Sequence, residues 1–304
     1  MSASPPRSGR DGAGGSTSPG PRIAGGSRDR ARAAEPGIPD GIPAERYPDL
    51  LRNWFLGNRA RAYLARRRFH EVTGLVRGAE GRALDAGCGW GYNLFLLSRE
   101  GLTPVGIDIV QDDFLAARMI ARENGYEAML VGADLAALPF AAGSFAAVTA
   151  VETFEHIYED DRRAAVREVW RVLEPGGALA LSTPNYGSIV EAGKRSLVRL
   201  GLLKRLFPAM CYPAGHVRRE EYHPYRYHKP APRRDVEALL EEAGFRIERV
   251  STIIFVWKNV PDPLFGAARA IERLLERIPL LTRLASTLVV LAKKPVAPPG
   301  PPPT

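Results

Sequence analysis

Three side chains that can bind a cation or move a proton stand within five residues, at Glu152-x-x-Glu155-His156, directly after an apolar run. Three roles are open to them. They could hold a divalent cation that polarises a hydroxyl. His156 could accept a proton from a reacting group or position that group. His156 could also be structural, hydrogen-bonded beneath a covering segment. Proximity in sequence does not by itself establish coordination geometry. A second chemical feature is Leu84-Asp-Ala-Gly-Cys-Gly-Trp-Gly91. Glycines at 87, 89 and 91 allow a sharp turn and let a ligand approach the main chain with no Cβ in the way. The spacing is G-x-G-x-G, not the G-x-G-x-x-G of dinucleotide folds. Two further carboxylates, Asp108 and Asp134, follow apolar runs.

These groups must be positioned by the elements between them. Residues 81–84 read as a strand entering the glycine turn, and 92–100 as a helix leaving it, with Leu94, Phe95 and Leu97 apolar and Gly101 as the stop. Further strands are expected over 103–108, 128–131, 145–150 and 178–182, with a helix over 160–173. Strands alternating with helices argue for a mainly parallel sheet covered on both faces. Asp108 follows the glycine turn by about 20 residues, where a doubly wound sheet places an acid that holds ribose hydroxyls. Polar groups at successive strand ends then mark one crevice.

This series resembles class I S-adenosylmethionine-dependent methyltransferases over residues 81–295. The resemblance rests on D-x-G-C-G-x-G at Asp85–Gly91, the strand-end Asp108, the Asp134-Leu135 pair and the turn Leu173-Glu-Pro-Gly-Gly177. It implies an α/β fold: a Rossmann-like doubly wound seven-stranded sheet, mostly parallel with the last strand antiparallel, carrying a helical lid insertion. Residues 234–245 match the family's helix before its sixth strand, and 287–292 its seventh strand. It also implies S-adenosyl-L-methionine as cofactor. Asp85, Gly87 and Gly89 would line the methionine moiety, with Cys88 in the same turn. Asp108, followed by Ile109, would hold the ribose; Asp134 with Leu135 would frame the adenine; Val151 and Glu152 would lie beneath the sulfonium. Within the family, the cluster is similar to the Glu-x-x-Glu-His of quinone-biosynthesis O-methyltransferases. That likeness implies catalytic roles for Glu152, Glu155 and His156, and would make the same three the ligands of any divalent cation.

The remaining chain bounds the function. With 304 residues and a 45% apolar fraction, one large globular domain with additions is expected. Two cysteines, Cys88 and Cys211, are too few for a disulfide framework, so a reducing, cytoplasmic setting is the default. Residues 1–45 are rich in Gly, Pro, Ser and Arg and read as a disordered tail; 296–304 read likewise. A helical segment over 46–80, with Trp54, Phe55, Leu56, Tyr63 and Leu64, is expected either to cover the ligand or to pack at the sheet edge. The insertion over 186–232 reads as a substrate lid. Residues 186–234 hold eleven bases against three acids, an excess equal to the chain's net charge of +8. The lid residues His216, Arg218, Arg219, His223, Tyr225, Arg226, Tyr227 and His228 suit an aromatic or anionic small-molecule acceptor. A second insertion over 261–284 interleaves Ile271, Leu274, Leu275 and Ile278 with Arg269, Arg273 and Arg277. Basic amphipathic stretches of this kind fit either a peripheral membrane contact or ordinary cap helices. Nucleic acid is not expected as a partner. Val151-Glu-Thr-Phe154 stands where amino-methylating nucleic-acid enzymes carry Asn/Asp-Pro-Pro-Tyr/Phe.

Overall fold

The computed structural model describes residues 57–199 and 227–296. The expected tail over 1–45 lies outside them, as do Trp54, Phe55 and Leu56 and all but the first residue of the tail expected over 296–304. The chain enters as α1 (Arg59–Leu75), whose first turn is capped by Asn58, its side chain accepting from Arg61 N at 2.9 Å. It continues as β1 (Arg82–Ala86), α2 (Tyr92–Arg99), β2 (Thr103–Asp108), α3 (Phe114–Glu123), β3 (Met129–Gly132), β4 (Phe145–Val151), α4 (Arg162–Val172) and β5 (Leu173–Pro184). After α5 (Ile189–Arg199) come α6 (Arg233–Glu242), β6 (Arg246–Ile253), α7 (Phe265–Leu275), α8 (Pro279–Thr282) and β7 (Thr287–Lys293).

The strands form one seven-stranded sheet in the order β3-β2-β1-β4-β5-β7-β6. Strands β1 to β5 pair in parallel, and β7 runs antiparallel to both of its neighbours. Strand β4 is buried at all seven positions, the signature of a strand covered on both faces. Alternation divides the side chains between two cores. Leu84, Val148, Leu181 and Val290 pack with Val166 and Val169 of α4 and Leu240 of α6. Their neighbours Ala83, Ala147, Ala180 and Val289 pack with Leu64 and Val72 of α1 and Leu97 of α2. Small residues on that face let α1 lie close against the sheet, so α1 covers a face of the sheet rather than its edge.

Two strands run further than their apolar content suggests. Strand β1 continues through Asp85 and Ala86, which are in register with Gly106 and Ile107. Strand β5 starts at Leu173, opposite Phe145, and reaches the main pairing at Ala178 after an irregularity in register. The strand order reverses between β1 and β4, where β1 leads to α2 on one face and β4 to α4 on the other. Ligands of open α/β sheets bind at such a switch point, outside the strand C-termini.

Candidate active site

The glycine turn leaves β1 at this switch point. Gly87, Gly89 and Gly91 all have positive φ, at 76°, 46° and 83°, which L side chains adopt only with strain. Each has a separate spatial reason as well. A Cβ at Gly87 would lie 2.5 Å from the Thr153 side chain, and one at Gly91 would lie 2.8 Å from Ala117 of α3. At Gly89 nothing is closer than Asp113 Oδ2 at 3.9 Å. Two of the glycines thus admit neighbouring elements, while the third leaves main chain open. Thr153, just after β4, donates to Ala86 O at 2.9 Å and ties the two sides of the crevice together.

Asp108 ends β2 beside this opening. Its carboxylate accepts from Gly89 N and Val110 N, both at 2.9 Å, and burial pushes its pKa up from the ordinary value against those two bonds. Ile109 next to it is half exposed, at 48%. Asp134 is exposed and Leu135 half-buried, and Ala133 N donates to Asp108 O at 3.1 Å, joining the ends of β2 and β3. An open backbone at Gly89, an acid at the next strand end and an exposed apolar residue beside it fit S-adenosylmethionine. Asp108 would accept from its ribose, and Ile109, Asp134 and Leu135 would frame its base.

Asp85, Cys88 and Val151 are all buried. Cys88 packs against Gly106, where a Cβ would lie 2.7 Å from its Sγ, and burial raises its thiol out of the reactive range. Asp85 is 2% exposed beneath the turn. Its Oδ1 accepts from Asn93 Nδ2 at 2.7 Å and Thr149 Oγ1 at 3.0 Å, and Thr73 Oγ1 donates to Asn93 Oδ1 at 2.6 Å. This network joins α1, α2, β1 and β4. Burial pushes the Asp85 carboxyl up to about 7, with the Asn93 and Thr149 bonds opposing it. An unfolded aspartate ionises near ~3.9, so the fold binds this proton more tightly than the unfolded chain. The resulting stabilisation is complete below about pH 4 and is lost as pH rises through about 7, at ~1.4 kcal/mol per unit inside that window. Asp85→Asn removes the titration. The gap in melting temperature between wild type and this variant is expected to move in the variant's favour from pH 4 to pH 7, and a constant gap would refute the assignment.

The acidic cluster follows β4, and the structure divides it. Glu152 has φ 54°, a rare conformation for a residue with a side chain. Its carboxylate accepts from Ser182 Oγ at 3.0 Å and pairs with Arg68 of α1 at 3.2 Å. Arg68 also donates to Thr287 Oγ1 at 3.0 Å. Glu155 is 1% exposed and accepts from Thr183 Oγ1 at 3.0 Å. Burial, with the Glu152 charge adding to it, pushes the Glu155 carboxyl well above the carboxylate range. His156 Nδ1 lies 2.7 Å from Tyr227 O. A carbonyl only accepts, so Nδ1 carries the hydrogen and the lone pair of the neutral ring sits on Nε2, 4.0 Å from Glu155 Oε1. The His228 ring stands edge-on to His156 at 5.3 Å, and burial followed by the His156 charge pushes its pKa down to about 3.

Among the described residues, donor atoms of Glu155, His156 and His228 lie within 4.8 Å of one another. Of the three residues expected from sequence as possible cation ligands, Glu155 and His156 lie in this group with His228, while Glu152 pairs with Arg68 and Ser182. Of the lid residues, Tyr227 and His228 are described and lie at the cluster. His216, Arg218, Arg219, His223, Tyr225 and Arg226 lie outside the described residues. Arg68, Ser182, Thr183 and Thr287 escaped sequence reading. Only the Ser-Thr ending β5 carried a signal, as hydroxyls at a strand C-terminus.

A family model described as a methyltransferase domain matches residues 83–177. The chain is 32% identical over 197 residues to the ubiquinone biosynthesis O-methyltransferase of Xanthomonas axonopodis pv. citri (strain 306), covering 63% of this chain and 74% of that one. It is 32% identical over 186 residues to the protein of the same name from Xanthomonas euvesicatoria pv. vesicatoria, covering 60% of this chain and 70% of that one. A solved SAM-dependent methyltransferase from Archaeoglobus fulgidus superposes with a TM-score of 0.51 at 19% identity, over 82% of this chain and 100% of that one, and at that identity it speaks for the fold alone. The glycine turn, the strand-end acid, the seven-stranded sheet and a relative of this coverage lead to one conclusion: the chain belongs to the class I S-adenosylmethionine-dependent methyltransferases.

Proposed function

We propose that this enzyme methylates a hydroxyl of a small aromatic or anionic acceptor, of the type a quinone precursor represents, with His156 as the base. The observation that carries the proposal is the 2.7 Å contact from His156 Nδ1 to Tyr227 O, which puts the ring's lone pair on Nε2, in the turn that follows β4. Bound S-adenosylmethionine supplies an electrophilic methyl group on a positively charged sulfur. The chain supplies position and a proton acceptor. As the acceptor oxygen reacts, its proton passes to His156 Nε2. Tyr227 O keeps the ring in orientation throughout. Thr153 holds the β4 end against the β1 end, so the base and the glycine turn keep a fixed relation. The two Xanthomonas relatives, named for O-methylation in ubiquinone biosynthesis, support this choice of acceptor class. A cytoplasmic setting completes the proposal, supported by the unpaired Cys88.

A second reading is favoured by the Glu155, His156 and His228 cluster: a divalent cation held there would polarise the acceptor hydroxyl. The depressed basicity of His228 leaves it a neutral ligand at physiological pH. Release of S-adenosylhomocysteine over a panel of phenols, catechols and sugar hydroxyls, with and without EDTA, tests both readings. No turnover with any hydroxylated acceptor would reject O-methylation.

A further inference from the structure

Among the described residues, the insertion between β6 and β7 leaves one face uncovered. Helix α7 lies against α1 through Phe265, whose ring meets Tyr63 at 5.9 Å, and through Arg269, stacked over that tyrosine at 3.9 Å. Opposite, Ala267, Ala270, Ile271 and Leu274 face outward at helical spacing. Leu264, Ile271, Leu274 and Leu280 are each more than half exposed, and Ile278 is 42% exposed. The patch continues to Ile189 at the start of α5, whose N–H lies 3.4 Å from Leu284 O.

The charge on this face has one sign. Arg273, Arg277 and Arg283 are exposed. Residues 263–286 contain two acids, and both turn inward. Glu272 is 0% exposed, accepting from Tyr63 Oη at 2.8 Å and Phe255 N at 2.7 Å, and Glu276 pairs with Arg67 at 3.4 Å. Arg269, which sequence alone grouped with the surface bases, is drawn inward to Glu272.

We propose that this α7–α8 face, with the start of α5, is where the enzyme rests on an anionic lipid bilayer. Exposed leucine and isoleucine side chains would enter the headgroup–acyl boundary while the arginines meet lipid phosphates. A second copy fits less well, because a two-fold contact through this face would set arginines against arginines. Residues 200–226 fit less well for the same reason, with five bases against two acids. Among the described residues no helix is long and apolar enough to cross a membrane, so the contact is peripheral. The patch also adjoins the site: Ala285 and Ser286 alone separate Leu284 from Thr287, which holds Arg68 against Glu152. A bilayer there would present a lipid-soluble acceptor to the crevice, a consequence that rests on the acceptor class proposed above.

The test is co-sedimentation of the full chain with phosphatidylcholine vesicles, with and without phosphatidylglycerol, in the absence of acceptor. Wild type is expected to bind the anionic vesicles and to be released by salt. Arg273→Glu with Arg277→Glu should weaken binding by at least ~25-fold, about fivefold for each arginine. Ile271→Ser with Leu274→Ser should weaken it as well, without a change in vesicle charge preference. Both variants should keep wild-type turnover of a water-soluble acceptor, since neither pair touches the site. Failure of wild type to bind anionic vesicles overturns the proposal. So does unaltered binding by both variants, or a wild-type dimer that the variants dissociate without any vesicle effect. Because the measurement uses no acceptor, it stands or falls separately from the methylation chemistry.

Discussion

With alanine in place of His156, turnover of the hydroxylated acceptor is expected to fall by ~10²–10⁴-fold, the full contribution of a positioned general base. Affinity for S-adenosylmethionine should not change, because the imidazole lies at the β4 end, where it meets Tyr227, Glu155 and His228. Stopped assays under saturating cofactor, with calorimetry of cofactor binding on the same protein, separate the two effects. EDTA divides the two chemical roles. If His156 is a base, EDTA leaves wild-type turnover intact. If a cation assists, EDTA abolishes turnover and added Mg²⁺ or Zn²⁺ restores it. In that case Glu155→Gln, His156→Ala and His228→Ala each weaken metal binding, whereas Glu152→Gln does not, its carboxylate being committed to Arg68 and Ser182. Full activity of His156→Ala with the true acceptor would leave the histidine with a structural role only.

Asp108→Ala is expected to lower affinity for S-adenosylmethionine by roughly 1.5–3 kcal/mol, about 10–150-fold, through loss of charge-assisted acceptance from the ribose hydroxyls. The structure adds a second contribution. The same carboxylate ties down Gly89 N and Val110 N at 2.9 Å, so alanine also leaves two amides of the turn without that partner. Asp108→Asn retains one oxygen of similar shape and should recover part of the loss. Calorimetry on folded wild type and both variants measures it. Equal affinities for wild type and Asp108→Ala would remove the ribose role from this residue.

Much of the fold was legible in local pattern. Apolar runs at residues 103–108, 145–150 and 287–292 lie in strands of the sheet, buried at most of their positions, and burial of a strand demands apolar side chains at every position that lacks a partner. The glycines at 87, 89 and 91 announced a left-handed turn because few other residues adopt that backbone. Asp108 and the Glu152–His156 cluster were legible as chemistry because they interrupt or follow such runs. The order of strands, with β7 between β5 and β6, was not written in any local signal; it follows from which faces bury one another. Nor could spacing tell that Asp85 is buried among Asn93 and Thr149, or that Glu152 binds Arg68 and Ser182. The second outcome depends on Arg68, 84 positions before Glu152, brought across the sheet face by the packing of α1. His228, 72 positions after His156, meets it through the return of the chain beside β4. Sequence by itself determined the elements, the class of chemistry and the residues able to perform it. Tertiary structure alone decided which of those residues share a site, because charge pairing and hydrogen bonding act over a few ångströms in space and are indifferent to distance along the chain.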